Sequence, residues 1–196
     1  MRQAVHRETI IEAALRLFSQ RGFKETTIFE IARHAKVAEG TIFHHFGSKQ
    51  DLLLVILDKV RSDITGRMDR HLAAEDFEDG ISMVEGMIGL YFHLADSMQT
   101  EFLFLLRNYP YQLAYVNPVC RSHLEKIHDC FLDAFSGAIA RGVTDCTIRE
   151  VDPHRQAVVL LATVTGLARF KLFALMPVDA YLGDALLSCR KMLERR

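Results

Sequence analysis

The side chains that could carry chemistry are concentrated in one stretch, TTIFEIARHAKVAEGTIFHHFGSKQD, which runs from Thr26 to Asp51. Its hydroxyl, imidazole and amine groups can donate hydrogen bonds to phosphates or to the edges of bases. The sequence has no glycine-rich phosphate loop, no H-E-x-x-H and no G-x-S-x-G, the motifs that mark common enzyme classes. The predicted chemistry is therefore non-covalent binding, and we assign no catalytic residue, no metal ligand and no cofactor.

Two short helices joined by a tight turn are expected to position these side chains. Thr27 and Glu30 form a T-x-x-E capping box that begins the first helix. Residues 35–37 fit a three-residue turn, and residues 40–46 form a second helix that Gly47 ends. Spacing of this kind is typical of a helix-turn-helix, in which the second helix lies in the major groove of DNA, although many helical hairpins share it.

Residue identities make the motif more specific than its spacing. The run AEGTIFHHFGSKQDLL resembles the recognition-helix signature of the TetR family of bacterial transcription regulators, and the resemblance extends back through IIEAALRLFSQRGFKETTIFEIA. It implies an all-α chain with a three-helix DNA-binding domain at residues 1–50 and a helical ligand-binding and dimerisation domain at residues 51–196. The implied partners are a double-stranded DNA operator, a small-molecule effector and a second copy of the chain.

Candidate DNA contacts follow from the resemblance and from helix geometry. Free amides and the positive end of the dipole make a helix N-terminus suitable for phosphate, and Thr27 and Lys49 occupy such ends at positions that hold the DNA backbone in the family. The alternatives are that Thr27 is only a cap and that Lys49 is a solvated charge. The residues of the second helix that are expected to face outward are Glu39, Gly40, Thr41, Phe43, His44 and His45.

Four residues depart from the family pattern. Lys36 stands where the family usually has glycine; a side chain in a left-handed conformation costs roughly 1 kcal/mol, but the amine could reach a phosphate. Ala38 replaces the usual Ser or Thr cap, so the second helix begins without a side-chain acceptor. Glu39 replaces a basic or small residue, and we hypothesise that it accepts a hydrogen bond from a cytosine amino group. Phe43 replaces tyrosine and lacks its hydroxyl.

Helical periodicity predicts that the rest of the chain is helical as well. The predicted helices are 4–21, 49–68, 80–96, 98–109, 119–141, 153–176 and 178–196, with loops at 71–79 and 144–152 and an irregular segment at 110–118. Gly142 is expected to end the helix before it. Asp152 is expected to cap the following helix, with Pro153 at its first position.

The helix predicted at 153–176 is apolar nearly all round, which indicates burial on more than one side and hence a subunit interface. Ala162, Gly166 and Ala168 would let another helix approach closely. The resemblance implies a four-helix dimer interface built from the last two long helices of each subunit. We assign to it Leu161, Val164, Ala168, Leu172, Leu186 and Leu187.

A ligand pocket in the second domain is expected mainly from the resemblance. Apolar walls with a few polar groups are typical of small-molecule sites, although ordinary core is the better interpretation of any single residue. The effector is predicted to be small and largely apolar and to release a repressor from its operator. The residues assigned to the pocket are Phe92, Met98, Phe102, Tyr109, Tyr115, Phe131, Phe135 and Phe170.

Composition and charge are compatible with this interpretation. The 196 residues are 49% hydrophobic and 25% charged, as in folded globular domains. Residues 1–50 hold eight Lys or Arg and five Asp or Glu, whereas the remainder holds sixteen and twenty, so a mildly basic head precedes a mildly acidic body. The start of the chain lacks the apolar region of a signal peptide, and the longest apolar tract, 157–168, is too short to span a membrane. We therefore expect a cytoplasmic protein.

Two alternatives stay open from the sequence. One is a helical adaptor that has lost normal DNA binding, which the departures at residues 36, 38 and 39 allow. The other is a redox-sensing regulator that uses some of the four cysteines, Cys120, Cys130, Cys146 and Cys189. A metal site at Cys120, His123 and Cys130 is disfavoured because close ligand pairs such as C-x-x-C are absent.

Overall fold

The computed structural model describes residues 2–195, with side chains from residue 6 onward. Met1 and Arg196, the outer ends of the two predicted domains, lie outside the described residues. Apart from an isolated β-bridge between Ile148 and Glu194, residues 2–195 are helices, turns and loops, which confirms the all-α class. A 3₁₀ turn spans Val178–Ala180. The α-helices in the described chain are α1 Arg2–Arg21, α2 Ile28–Ala35, α3 Glu39–Phe46, α4 Lys49–Ala74, α5 Gly80–Ser97, α6 Gln99–Leu105, α7 Asn108–Ala114, α8 Pro118–Thr144, α9 Pro153–Leu172 and α10 Leu182–Leu193.

The chain folds into two compact units, each made from two segments. The first unit comprises the described residues up to Asp63 together with Thr100–Lys126. The second comprises Ile64–Gln99 together with residues 127–195. This division reflects packing, and the functional boundary expected after residue 50 stays a prediction.

In the first unit, α1 provides the surface on which the helix-turn-helix is built. Its predicted apolar stripe is confirmed, because Ile11, Ala14 and Phe18 are at most 2% exposed. Helices α2 and α3 both pack on α1. Helix α3 has only eight residues and could not persist alone in water. Its inward residues Ile42 and Phe46 are buried as predicted, and each contributes about 1.5–3 kcal/mol by burial, which holds α3 in place.

In the second unit, two glycines let the start of α5 cross closely over the end of α8. A Cβ atom on Gly80 would lie 2.0 Å from the backbone nitrogen of Gly142 and 2.2 Å from its Cα. Asp79 caps α5 by accepting a hydrogen bond from the Ser82 amide at 2.8 Å. The prediction that Gly142 ends its helix is wrong, because α8 continues to Thr144 and Gly142 serves close packing instead.

Other helix ends also differ from the predictions. The segment expected to be irregular contains α7, in whose first turn Pro110 is tolerated because amides there have no partner within the helix. Helix α4 continues six residues beyond 68, to Ala74. Helix α9 begins as predicted, with Asp152 as its cap and Pro153 in the first turn. It ends at Leu172 rather than 176, just before Ala174 adopts a left-handed conformation with φ of 52°.

Candidate nucleic-acid interface

The start of α2 is fixed by the predicted capping box. The Thr27 hydroxyl accepts a hydrogen bond from the Glu30 amide at 3.2 Å, while Glu30 Oε2 accepts from the Thr27 amide and hydroxyl, both at 2.9 Å. Arg21, at the end of α1, pairs with Glu30 Oε1 at 2.7 Å. The hydrogen bonds from Thr27 and the charge of Arg21 hold the pKa of Glu30 below its usual value. The Thr27 side chain is therefore engaged in capping, and its contact with DNA stays a prediction.

The turn between α2 and α3 contains Lys36 in a left-handed conformation, with φ of 56° and ψ of 42°, which is the case in which its side chain was expected to cost stability. Its amide donates to the carbonyl of Arg33, and the Val37 amide donates to the carbonyl of Ala32 at 3.0 Å. Both bonds satisfy carbonyls that the last turn of α2 would otherwise leave without a partner. The Lys36 side chain is exposed, so its amine is available to a phosphate.

Helix α3 presents polar side chains that nothing else in the described chain engages. Ala38, the residue before it, makes no side-chain cap hydrogen bond, which confirms that this helix start lacks an acceptor. Glu39, Gly40, Phe43 and His44 are exposed, and Thr41 and His45 are half-buried. Within residues 6–195, the side chains of Glu39, Thr41, His44 and His45 make no hydrogen bond or ion pair, although the two imidazoles lie edge to face, 5.5 Å between ring centroids.

Gly40 leaves the outer surface of α3 open at its first turn. A Cβ atom built at this position has no heavy atom within 4 Å, and the backbone φ is not positive. Neither packing nor backbone conformation therefore requires glycine here. The open surface is consistent with the prediction that the α3 backbone approaches DNA closely.

Lys49, by contrast, is already engaged inside the first unit. Its Nζ donates to the carbonyls of Phe23 at 2.8 Å and of Thr26 at 2.7 Å, and it lies 4.3 Å from the centroid of the Phe23 ring. Partial burial lowers the pKa of its ammonium group. In this conformation Lys49 joins the start of α4 to the turn between α1 and α2. Its predicted contact with phosphate is untested, and it would require these two bonds to be shared or broken.

One exposed aromatic residue near the interface was not assigned from the sequence. Phe29, in the first turn of α2, is 59% exposed, and Phe43 on α3 is 49% exposed. Singly exposed apolar side chains are normal on a protein surface, so this exposure alone assigns no role to Phe29. The only signal in the sequence is an aromatic residue two positions after the Thr27 cap, where the helical stripe points outward.

The residues assigned to a ligand pocket differ widely in how far their side chains are exposed. Phe92, Met98, Phe102, Phe131 and Phe135 are at most 4% exposed. Tyr115 is 82% exposed and Phe170 39% exposed, so neither ring lies in an apolar interior, and their assignment to a pocket stays a prediction. Tyr109 lines a cavity of about 260 Å³ in the first unit.

The residues assigned to a dimer interface are also divided by burial. Leu161, Val164 and Ala168 are at most 7% exposed, so they pack within the chain itself, and their assignment to the dimer interface stays a prediction. Leu172 and Leu186 are half-buried and Leu187 is 48% exposed, so these three remain candidates. The exposed stripe of α9 consists instead of Val158, Val159, Ala162, Thr163, Arg169 and Phe170.

The cysteines offer little support for redox sensing. Burial raises the pKa of Cys120 and Cys189, and burial together with the carboxylates of Asp69 and Asp133 raises the pKa of Cys130 to about 11. Thiols with raised pKa form little thiolate, which is the reactive species. Cys146 alone among the four is exposed.

The described residues contain neither a candidate metal site nor a helix that could span a membrane. No three of the His, Cys, Asp and Glu side chains described from residue 6 onward are grouped so that they could hold a metal ion. Among the helices of residues 2–195, none has the length and hydrophobicity required to cross a membrane.

The helix-turn-helix geometry agrees with comparisons to known proteins. Residues 10–56 match the family model described as bacterial regulatory proteins, tetR family. The chain is 29% identical to the HTH-type transcriptional regulator TtgR of Pseudomonas putida, over 91% of this chain and 85% of that protein. It is 50% identical to the regulator HbdR of an Aromatoleum species, but over only 28% of this chain and 24% of HbdR.

A solved structure shares the fold over nearly the whole chain. It is a transcriptional regulator from Saccharomonospora viridis in complex with choline, with a TM-score of 0.79 and 22% identity, covering 97% of this chain and 98% of that one. These relatives and this neighbour are named as transcription regulators and not as enzymes. The match over residues 10–56 assigns the helix-turn-helix to the tetR family, and over most of its length the chain is similar to HTH-type transcriptional regulators.

Proposed function

We propose that the protein is a homodimeric, ligand-responsive repressor whose two α3 helices enter successive major grooves of a near-palindromic operator. The observation that carries this proposal is that the polar side chains of α3 lack partners, whereas those of the neighbouring residues Thr27 and Lys49 have them. Glu39, Thr41, His44 and His45 have no partner among the described residues, whereas Thr27 and Lys49 are engaged in capping and clamping. Polar groups without partners on an exposed helix are available for bases and phosphates.

Within this proposal the base-reading residues are Glu39, His44 and His45. A carboxylate can accept from the cytosine amino group, and imidazoles can donate to the acceptors that guanine and adenine present in the major groove. Thr41, Lys36 and the backbone at Gly40 then hold phosphates. Each subunit contributes one α3 to one half-site, and half-sites one helical turn apart lie about 34–36 Å from centre to centre.

Dimerisation is proposed through the exposed stripe of α9 together with α10. Val158 and Val159 are each 46% exposed, and a Cβ atom on Gly166 would have no heavy atom within 4 Å, so a partner helix could approach here. We expect Val159→Glu to convert the dimer into a monomer in analytical ultracentrifugation. Val119→Glu, at a valine on α8 that is 53% exposed, is the matched control and should leave the dimer intact.

The effector is proposed to bind the helical region after residue 50 and to shift the protein away from DNA. It can do so only through a difference in affinity between the DNA-binding conformation and another. The solved neighbour that binds choline supports a small organic ligand in a protein of this fold. That the effector is largely apolar, and that it releases the protein from its operator, stay predictions.

An in vitro selection of random duplex DNA on the purified protein, at near-physiological salt, tests the proposal. We expect enrichment of an inverted repeat, with affinity falling steeply as salt rises because phosphate contacts release counterions. Glu39→Ala should relax the base preference at one position of each half-site. If nothing is enriched and no DNA binds even at low salt, the repressor proposal fails and the adaptor alternative is favoured.

A further inference from the structure

The first unit contains a cavity of about 260 Å³ beside the helix-turn-helix, which the proposed function does not use. One wall is formed by residues 21–25, which join α1 to α2, and the other by residues 107–109 with Gln112, around the start of α7. Drug-sized ligands usually occupy about 300–1,000 Å³, so this cavity suits a smaller molecule.

Positive charge predominates among the lining side chains. Arg21, Lys24 and Arg107 line the cavity against a single carboxylate, that of Glu25. Lys24 is exposed and has no partner among the described residues. Arg21 is paired at 2.7 Å with Glu30, which lies outside the lining, and Arg107 donates to carbonyls of α1, so Lys24 is the lining cation most open to an occupant.

Arg107 is held in place by the end of α1. Its Nε donates to the carbonyl of Ser19 at 3.0 Å, and its Nη2 donates to the carbonyls of Ser19 at 2.8 Å and of Gln20 at 2.6 Å. The C-terminal end of a helix repels anions because of its dipole. Since the guanidinium covers these carbonyls, that repulsion is offset where the cavity meets α1.

The cavity also has an aromatic wall and neutral donors. The Phe23 and Tyr109 rings are stacked, 4.0 Å between centroids and 12° between planes, and both residues line the cavity. Burial raises the pKa of the Tyr109 hydroxyl, which stays protonated and able to donate. The side-chain amide of Asn108 adds a further donor. An occupant would therefore meet apolar ring surface and hydrogen-bond donors together.

We propose that this cavity is a binding site for a small organic carboxylate with an apolar body. The carboxylate pairs with Lys24 and Arg107, and the body lies against the Phe23 and Tyr109 rings. Charge-assisted hydrogen bonds of this kind are about twice as strong as neutral ones. The site lies in the first unit and shares only Tyr109 with the residues assigned to the effector pocket from the sequence, and its occupancy can be measured without DNA.

Occupancy would act on the helix-turn-helix through Phe23. The ring of Phe23 contacts Tyr109 on the cavity side and lies 4.3 Å from Lys49 Nζ, and Lys49 also holds the Phe23 carbonyl. A ligand that fixes the Phe23–Tyr109 stack also fixes the turn on which the start of α2 and the start of α4 depend. Ligand binding at this site is thus a second way, besides the proposed effector, to change the geometry of the DNA-binding helices.

The absence of tryptophan from the chain allows a direct assay. Gln112→Trp introduces a single indole at the cavity, and its emission is followed during titration with sodium benzoate at constant ionic strength. Benzamide and benzylamine hydrochloride have the same ring with no charge and with the opposite charge. We expect saturable binding of benzoate and affinities at least about tenfold weaker for the other two compounds. Tyr115→Trp, at an exposed aromatic in the same segment that does not line the cavity, should show no saturable change.

Two charge reversals locate the site. Lys24→Glu should weaken benzoate binding at least about tenfold, measured with the indole reporter and by calorimetry on the chain without it. Lys126→Glu changes the net charge equally, but Lys126 does not line the cavity, so binding should be unchanged. Equal affinity for all three compounds, or full binding by Lys24→Glu, would overturn the proposal. Loss of DNA binding in Lys24→Glu without any benzoate binding would also overturn it, by assigning Lys24 to phosphate. The benzoate titrations do not depend on the operator, so their failure would leave the repressor proposal standing.

Discussion

Gly40, in the first turn of α3, allows a test in which folding and DNA binding should change in opposite directions. A methyl group added there would have no heavy atom within 4 Å, and the backbone φ is not positive, so Gly40→Ala introduces no clash and no backbone strain. Alanine is favoured over glycine in a helix by about 0.5–1 kcal/mol. In a chain of this length that gain corresponds to a rise in Tm of roughly 1–4 °C.

The same methyl group should oppose DNA binding, because it would stand between the α3 backbone and the phosphate that the backbone is proposed to approach. Loss of one hydrogen bond to a charged group costs about 1.5–3 kcal/mol, so we expect affinity for the selected duplex to fall at least tenfold. Fluorescence anisotropy with labelled duplex and thermal unfolding of the same preparation measure the two effects. Gly89→Ala, on an exposed face of α5 with equally open surroundings, should change only the Tm. If Gly40→Ala bound the duplex as well as the unmodified protein, the proposed close approach would be refuted.

Four further substitutions test single features of the structure. Lys36→Gly should relieve the backbone strain of a left-handed side-chain-bearing residue and raise Tm by about 2–4 °C. It should also lower the salt dependence of DNA binding by about one counterion per subunit. An unchanged salt dependence would mean that Lys36 does not contact phosphate. Ala38→Ser should stabilise α3 by about 0.5–2 kcal/mol in denaturant unfolding, and no gain would mean that water already satisfies this helix start. Lys49→Gln leaves two backbone carbonyls without their ammonium donor and should destabilise the chain by about 1–3 kcal/mol. The salt dependence of DNA binding should be unchanged, and a reduced salt dependence would instead assign Lys49 to a phosphate contact. Burial lowers the pKa of His128, so as the pH falls the unfolded chain binds a proton at this imidazole before the folded chain does. The free energy of unfolding should therefore decrease below about pH 6.5, by up to 1.4 kcal/mol per pH unit. In unfolding measured at several pH values, His128→Gln should flatten this dependence, and His93→Gln, at an exposed histidine, should not.

Local signals in the sequence predicted the helix-turn-helix well. The capping box at Thr27, the left-handed Lys36, the missing cap at Ala38 and the inward Ile42 all lie as expected. Each depends on residues at most four positions apart, so the sequence pattern and the structure report the same short-range hydrogen bonds and helical period. Long-range packing is needed in addition for the burial of Ile42, which helps to hold α3 in place.

Features decided by distant parts of the chain were not predicted. Gly142 was interpreted as a helix stop because the sequence does not reveal that Gly80, far away along the chain, crosses over it. Leu161 and Val164 were assigned to a partner because an apolar helix face does not show whether it packs on its own chain or on another. In each case periodicity identifies which residues are apolar or small, but only the tertiary structure shows what they pack against.

Lys49 shows how the same limit affects the assignment of function. Its position, just after Ser48 and at the start of α4, suits a phosphate contact, and the sequence contains nothing against that role. The structure engages its ammonium with two carbonyls and the ring of Phe23, residues more than twenty positions earlier. A side chain used in this way joins the start of α4 to the turn before α2, whereas the unpaired groups of α3 are the ones proposed to read the DNA. Because Phe23 also stacks on Tyr109 at the cavity, this lysine is the point at which a ligand bound there could change operator affinity without touching DNA.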